Sequence, residues 1–113
     1  MRNNILSMTS SIVNESIRNP KIALLSTKEV NGTMMISLNM FVDTRLHKVD
    51  IYVYESDTEG LSMISYIPDK NSDVKHVLHM FHKIDMDEYE TFIPLAFTDI
   101  MVGIEIMSYN GDI

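Results

Sequence analysis

The most regular pattern in the chain is the alternation of apolar and polar residues in KIALLSTKEVNGTMMISLNMFV, residues 21–42. A period of two is typical of a strand with one buried face. The pair Asn31-Gly32 interrupts the pattern, and such a pair favours a two-residue type I′ turn because both turn positions need positive φ. The segment therefore predicts a β-hairpin.

The turn also predicts the register of the hairpin. With Asn31 and Gly32 as the turn residues, the numbers of paired residues sum to 63. The predicted pairs are Leu25 with Leu38, Thr27 with Ile36, and Ala23 with Met40. One face of the second strand is then apolar and consists of Met34, Ile36, Leu38, Met40 and Val42.

An amphipathic helix is predicted before the hairpin, over about residues 4–18. Its apolar residues recur at helical spacing, and Asn19-Pro20 favours a stop because proline disfavours helical backbone at the preceding residue. Two further strands are predicted after the hairpin. HKVDIYVYE places Val49, Ile51 and Val53 inward and Asp50, Tyr52 and Tyr54 outward, and LSMISYI forms a weaker strand.

A second helix is predicted near residues 73–83. Val74, Val77, Leu78 and Phe81 follow helical spacing, and Ser72 or Asp73 can cap the start. Residues 84–99 leave two alternatives open. Asp87 and Glu90 can form a capping box for a short helix that Pro94 ends, or the stretch can be loop and strand.

The last predicted element is a strand in IMVGIEIMS, with Val102, Ile104 and Ile106 on one side. Together these elements predict the α+β class and a single domain over residues 1–113. The expected architecture is an antiparallel sheet of about four to six strands. The N-terminal helix and the helix near 73–83 are expected to pack on one face of the sheet.

Composition restricts the chemistry. The chain has no cysteine, which excludes disulfides, thiolate metal sites and a cysteine nucleophile. No apolar run reaches the roughly 18–20 residues of a membrane span. We therefore expect a soluble cytoplasmic protein, in the host cytoplasm if the chain is viral. The excess of Ile and Asn over Ala is typical of AT-rich genomes, including many phage genomes.

Charge is distributed unevenly along the chain. Residues 1–50 hold six bases and four acids (+2), whereas residues 51–113 hold three bases and twelve acids (−9), which gives the net charge of −7. Residues 84–113 alone carry seven acids and no base. Such asymmetry favours a basic partner and argues against direct nucleic-acid binding, which needs Lys and Arg to displace counterions.

The acids concentrate in IDMDEYETF, residues 84–92. A calcium loop is excluded, because counting from Asp85 places Tyr89, Glu90 and Ala96 at three required positions. Three interpretations stay open: steering of a basic partner, imitation of a phosphate backbone, and a solvated turn.

The predicted second helix carries three histidines, His76, His79 and His82. On a helix all three would lie away from the apolar stripe, so a solvated face is favoured over a metal site. We expect no cofactor. A nucleophile elbow, a P-loop and a dinucleotide-binding fingerprint are all missing from the sequence, which argues against an enzyme.

Methionines and aromatic residues suggest a docking surface. Met35, Met101 and Met107 are expected on the outer sheet face with Phe41, Tyr52 and Tyr54, as an adaptable apolar patch or as a second buried face. The sequence thus predicts a small, acidic, non-catalytic binding protein of an inhibitor or immunity type. The expected partner-binding residues are Phe41, Tyr52, Tyr54, Asp85, Asp87, Glu88 and Glu90.

Two alternatives belong to other classes. The first is a structural subunit, a homo-oligomer or virion component whose sheet edges pair between copies. The second is a metal-assisted enzyme that uses His76 and His79.

Overall fold

The computed structural model describes residues 2–56, 60–69, 73–81 and 88–113. The elements in chain order are α1 (Arg2–Arg18), β1 (Ile22–Val30), β2 (Thr33–Val42), β3 (Arg45–Ser56), β4 (Gly60–Pro68), β5 (Lys75–Phe81) and α2 (Tyr89–Asn110). The strands form one antiparallel sheet in the order β1-β2-β3-β4-β5. The predicted α+β class, with an N-terminal helix and an antiparallel sheet, is confirmed.

The β1–β2 hairpin turns at Asn31 and Gly32, as predicted. Their φ angles are 50° and 79°, the positive values that a type I′ turn requires. The predicted pair Thr27–Ile36 is confirmed. Beyond it the register shifts by one residue at a bulge between Leu24 and Ser26.

The two other predicted hairpin pairs are therefore wrong. Leu24, and not Leu25, pairs with Leu38, and Ile22, and not Ala23, pairs with Met40. The bulge adds one residue to β1, so Ile22 shares the inward face of the sheet with Met40. Ile22 is buried as a result.

The core lies between one face of the sheet and the two helices. α1 packs over β1, β2 and β3, while α2 packs over β2 and β5 and contacts α1. The sheet contributes the predicted inward residues of β2 and β3, and Ile36, Leu38, Val49, Ile51 and Val53 are fully buried. The polar Thr9 and Ser16 on the buried side of α1 donate hydrogen bonds to the carbonyls of Ile5 and Ile12 (2.7 Å each).

The prediction of a helix near 73–83 is wrong, because residues 75–81 form strand β5. β5 pairs with β4 and has a bulge where Ser65 pairs with His79 and Tyr66 pairs with Val77. The bulge places Leu78 beside Gly103 of α2. Because of the bulge, Leu78 and Phe81 both contact the core although they are three residues apart. The same spacing occurs on one face of a helix, which is why the sequence pattern predicted a helix here.

The C-terminal prediction is also wrong, because IMVGIEIMS belongs to helix α2 and not to a strand. Pro94 lies inside this helix and does not end it. Ile93, Phe97, Ile100 and Ile104 recur at helical spacing and are buried against the sheet.

The end of α2 is set by Gly111, whose φ is 80°. The backbone N–H of Asp112 donates to the carbonyl of Met107 (3.0 Å) and that of Gly111 to the carbonyl of Ser108 (3.2 Å). This pattern satisfies carbonyl groups that the last helical turn leaves without intrahelical partners.

The hairpin turn gives a test of local backbone conformation. We expect Gly32→Val to lower the free energy of unfolding by about 1 kcal/mol or more, because a β-branched residue resists positive φ. A Cβ at this position would have no atom within 4 Å, so a loss would come from the backbone and not from a clash. Urea denaturation measures the change. Gly32→Asn is the control, since Asn tolerates positive φ, and an equal loss in both variants would contradict the turn assignment.

Candidate functional site

The predicted partner-binding residues do not lie on one surface. Tyr52 and Tyr54 are half-buried on the sheet face that points away from the helices. Glu90 lies in the first turn of α2, in the helical layer on the other side of the sheet. Asp85 and Asp87 lie outside the described residues. The predicted capping box between Asp87 and Glu90 therefore includes one residue that lies outside them.

Glu88 and Glu90 are near the N-terminus of α2. Glu88 is the N-cap residue and makes no side-chain capping hydrogen bond, and Glu90 is the acidic residue of the first turn. Carboxylates at this end of a helix stabilise it by their interaction with the partial positive charge of the free N–H groups. Both side chains are exposed. These two acids therefore have a structural contribution whether or not they meet a partner.

The outer sheet face holds a polar network around Tyr52. Lys75 Nζ donates to the Tyr52 hydroxyl (3.1 Å) and lies 3.6 Å from Asp50 Oδ2. Asp50 Oδ1 accepts a hydrogen bond from Ser37 (2.9 Å). The hydrogen bond to Tyr52 is the main cause that raises the pKa of Lys75. The Tyr52 ring also packs edge-on against Tyr66, with 5.4 Å between centroids.

This network already engages the polar groups of Tyr52 and Asp50. Met101 and Met107, expected on this face, instead lie on α2 and are partly buried against the core. The apolar patch predicted for the outer sheet face is thus smaller than expected, although Met35 and Phe41 do belong to outward positions of β2.

A longer apolar surface lies on the side of α2 that faces away from the sheet. It consists of Leu95, Val102, Ile106 and Tyr109, which we call the α2 stripe. Their exposed fractions are 59%, 47%, 56% and 90%. At 100° per residue the four lie within about 60° of one another, nearly opposite the buried face, and they span about 21 Å along the helix.

Acids border the α2 stripe on both flanks. Asp99 lies on one side and Glu105 on the other, and α2 contains no basic residue. Asp99 is 63% exposed at its side chain. Carboxylates along both borders of an apolar stripe make this side of the protein attractive to a positively charged amphipathic partner.

A groove runs beside the α2 stripe, between α2 and the β2–β3 turn. Its outer part has a volume of about 460 Å³ and is lined by Asp43, Val102, Glu105, Ile106 and Tyr109. Its inner part, of about 430 Å³, adds Lys21 and the predicted partner-binding residue Phe41, which is 47% exposed. The outer groove thus contains two acids and no base.

A hydrogen bond joins the start of β3 to the C-terminal part of α2. Arg45, at the start of β3, donates from Nη2 to Ser108 Oγ near the C-terminus of α2 (2.8 Å). A guanidinium in this position also complements the partial negative charge of the helix end. It links the chain next to the β2–β3 turn to α2.

A polar cluster lies under α2. Ser65 and His79 are directly paired across β4 and β5, and His79 Nδ1 is 3.6 Å from Asp99 Oδ2. Serine, histidine and aspartate are the residue types of a hydrolase triad. Here Ser65 is fully buried, and within the described part of the chain Ser65 Oγ and His79 Nε2 have no hydrogen-bond partner. The hydroxyl is neither bonded to its base nor reachable by a substrate in this conformation.

The prediction that the histidines lie on a solvated helix face is wrong for the two described ones. His76, on β5, is 3.0 Å from Asp69 and half-buried, whereas the His79 side chain is only 14% exposed. The His79 ring packs at 4.0 Å from that of Phe81, which in turn contacts Phe92 of α2. His82 lies outside the described residues. Across 2–56, 60–69, 73–81 and 88–113, no three His, Asp or Glu side chains are grouped so as to hold a metal ion.

Sequence reasoning missed the α2 stripe because it assigned Val102 and Ile106 to the inner face of a strand. The signal was present in the spacing of Ile93, Phe97, Ile100 and Ile104. By length and composition alone, Glu90–Asn110 could also cross a membrane. Of that segment, 28% is buried inside the protein, on the side of α2 that contributes to the core.

Comparison of the chain with protein-family models, with curated proteins and with solved structures gives no match. The candidate site is therefore defined by its own geometry alone.

The burial of His79 predicts a pH dependence of stability. Burial lowers the pKa of His79, and the nearby Asp99 carboxylate opposes this only in part. The folded state then binds fewer protons than the unfolded state. Stability is complete above the ordinary histidine value of about 6.5 and is lost as the pH falls below it towards the lower folded-state pKa.

We therefore expect His79→Gln to have a melting temperature that falls less between pH 7 and pH 5 than that of the wild type. Thermal denaturation followed by circular dichroism measures both curves. Burial also lowers the pKa of His47. We therefore expect His47→Gln to remove a separate part of the fall in melting temperature between pH 7 and pH 5. A wild-type slope that persists unchanged in His79→Gln would contradict the neutral, buried state of this ring.

Proposed function

We propose that the chain is a non-catalytic protein-binding module that takes a basic, amphipathic segment of another protein along the α2 stripe and its groove. The observation that carries the proposal is the line of four exposed apolar side chains on α2, bordered by Asp99 and Glu105. Contiguous exposed apolar surface rimmed by charge is typical of protein–protein interaction sites.

The chemistry of the partner follows from the two kinds of group on this surface. The α2 stripe supplies apolar area to be buried, and a helix that presents Leu, Ile or Phe at the same spacing could cover it. The acids require Lys or Arg on the flanks of that helix. Tyr109, which is 90% exposed, is suited to be an anchor, because aromatic residues dominate the binding energy of many interfaces.

The proposal retains a basic partner from the sequence-based expectation but uses α2 as the main contact. Phe41, at an outward position near the end of β2, borders only the inner part of the groove. The acids of residues 85–90 precede and begin this same helix in the chain, so steering by them is compatible with the proposal. We further propose that the partner is an enzyme or other protein of the cytoplasm and that binding blocks its basic site. An inhibitor or immunity-type role of this kind stays a prediction.

The apolar part of the site can be tested with a synthetic amphipathic helix made of Leu and Lys. We expect the wild type to bind this peptide and to bind a Leu and Glu peptide far more weakly. Val102→Ser should weaken binding by about fivefold or more, since it removes buried apolar area. Fluorescence anisotropy of labelled peptides measures the affinities.

Val77→Ser is the matched control for that substitution. Val77 lies on β5 and is 48% exposed, against 47% for Val102. It should leave peptide binding unchanged. An equal loss in both variants, or equal binding of the two peptides, would contradict the site. Val102-dependent binding to neutral lipid vesicles without peptide binding would identify α2 as a membrane contact instead.

The acidic border can be tested separately by its effect on association rate. We expect Asp99→Asn combined with Glu105→Gln to slow association with the Lys peptide at low salt and to converge with the wild type at high salt, because screening removes the attraction. Stopped-flow fluorescence measures the rates. Glu15→Gln combined with Asp73→Asn is the control, because it changes the net charge by the same amount away from the α2 stripe. If this control slows association equally, the rate depends on the net charge of the protein and not on acids beside the stripe.

A further inference from the structure

The edge strand β1 is exposed along almost its whole length. Its only neighbour in the sheet, among the described strands, is β2. Every residue from Ala23 to Val30 is exposed, on both faces of the strand. Leu24, Leu25 and Val30 have exposed fractions of 37%, 50% and 39%. A long apolar edge of this kind favours pairing with a further strand.

A second apolar strip lies beside this edge, on the flank of α1. Leu6 and Ile17 are 44% and 73% exposed, and at 100° per residue they lie within about 20° of each other on the helix. Leu6 lines a cavity with Glu29 and Gly32 at the hairpin end of β1. The strip therefore lies on the same side of the molecule as β1.

The opposite flank of α1 faces the other helix. Ser11, Asn14, Glu15 and Arg18 line a cavity with Glu90, Ile93 and Pro94 of α2. The strip with Leu6 and Ile17 therefore points away from α2. This strip and the outer edge of β1 lie on one side of the molecule, and we call the two together the β1 flank.

Charge decides which partner fits the β1 flank. In a two-fold symmetric dimer each surface meets an identical copy of itself, so a surface of one sign repels itself. The charged residues of α2, the helix that carries the α2 stripe, are all acidic. Two copies of this stripe would therefore repel each other. β1 carries one base and one acid, Lys28 and Glu29, beside apolar residues. A surface that is neutral and apolar can face its own copy.

We propose that two copies of this chain associate through the β1 flank, with β1 of one copy antiparallel to β1 of the other. A two-fold axis perpendicular to the sheet keeps both pairs of helices on the same side. The two sheets then form one sheet of ten strands, and the strips on the two α1 helices approach each other across the axis. Such a dimer uses the β1 edge of each copy once and closes.

The register of this pairing follows from the residues of β1. Because the two-fold axis is perpendicular to the sheet, one residue of β1 lies directly opposite the same residue of the other copy. We call this residue the centre of the pairing. A centre at Lys28 or Glu29 sets like charges directly opposite each other, which destabilises a pair of strands. A centre at Ser26 sets the bulged Leu25 opposite Thr27. A centre at Thr27 moves this bulge one pair further from the axis, with Leu25 opposite Glu29. It also sets Lys28 opposite Ser26 and brings two threonines together, so we assign the axis to Thr27.

The dimer and the proposed partner site are independent. The α2 stripe lies on a different side of the molecule from the β1 flank and stays exposed in the dimer. Substitutions on one surface should therefore leave the function of the other unchanged, and failure of either proposal can be recognised without the other.

The chain has no cysteine, which makes a cross-linking test direct. We expect the wild type to sediment at twice the 13.0 kDa chain mass at about 100 μM, a concentration well above a micromolar Kd. Thr27→Cys should form a disulfide-linked dimer under mild oxidation, because directly opposed strand residues lie within the Cα separation that a disulfide spans. Thr98→Cys, at an exposed position of α2, is the matched control and should link far less.

Leu25→Lys combined with Ile17→Lys should yield a monomer whose circular dichroism spectrum and melting curve show a folded chain, since both side chains are exposed. Leu95→Lys combined with Ile106→Lys on the α2 stripe should remain a dimer. A wild type that is monomeric at this concentration would overturn the proposal. A dimer lost only on substitution of the α2 stripe, or one in which Thr27→Cys links no faster than Thr98→Cys, would overturn it as well.

Discussion

The structure depends on the burial of one face of a five-stranded sheet by two helices. Each strand of the sheet pairs with its neighbour in sequence, so the strands are joined without any long connection. The apolar residues at alternate positions of β2 and β3 then have to be covered, and α1 and α2 are the elements that do so. At roughly 25 cal/mol per Å² of buried apolar area, this layer supplies the main favourable term of folding.

The same burial determines what the surface can do. α2 must present Ile93, Phe97, Ile100 and Ile104 to the sheet, and with this orientation fixed the four residues of the α2 stripe face away from the protein. Asp99 and Glu105 border that outer side, while the lysine network around Tyr52 lies on the far side of the sheet. Exposed apolar residues and two acids of the C-terminal third thus meet on one side of α2. That coincidence is the reason for proposing a basic partner.

Polar groups under α2 modify this simple layer. His79 and Ser65 occupy inward positions where an apolar pair would pack as well, and buried polar atoms without partners cost free energy. The aromatic contacts from His79 through Phe81 to Phe92 join β5 to α2 at the same place. The attachment of α2 to the edge of the sheet therefore combines apolar packing with a titratable group. It is a part of the core where stability depends on pH.

Elements whose signal is local could be predicted from the amino-acid sequence. Asn31-Gly32 specifies a turn through backbone sterics, and the alternation around it and in β3 specifies strands with one buried face, so the N-terminal helix and the first four strands were predictable. It also located the excess of acids in the last thirty residues. The α+β class followed from these elements alone.

The tertiary structure alone decided the identity of β5 and α2. Val74, Val77, Leu78 and Phe81 have helical spacing, yet pairing with β4 and a bulge at Leu78 make the segment a strand. Val102, Ile104 and Ile106 alternate like a strand, yet only Ile104 is buried, because α2 is apolar on two sides and the sheet covers one of them. A local sequence pattern shows which residues are apolar. It does not show whether other parts of the folded chain bury them. The candidate partner site consists of the apolar residues of α2 that the fold leaves uncovered.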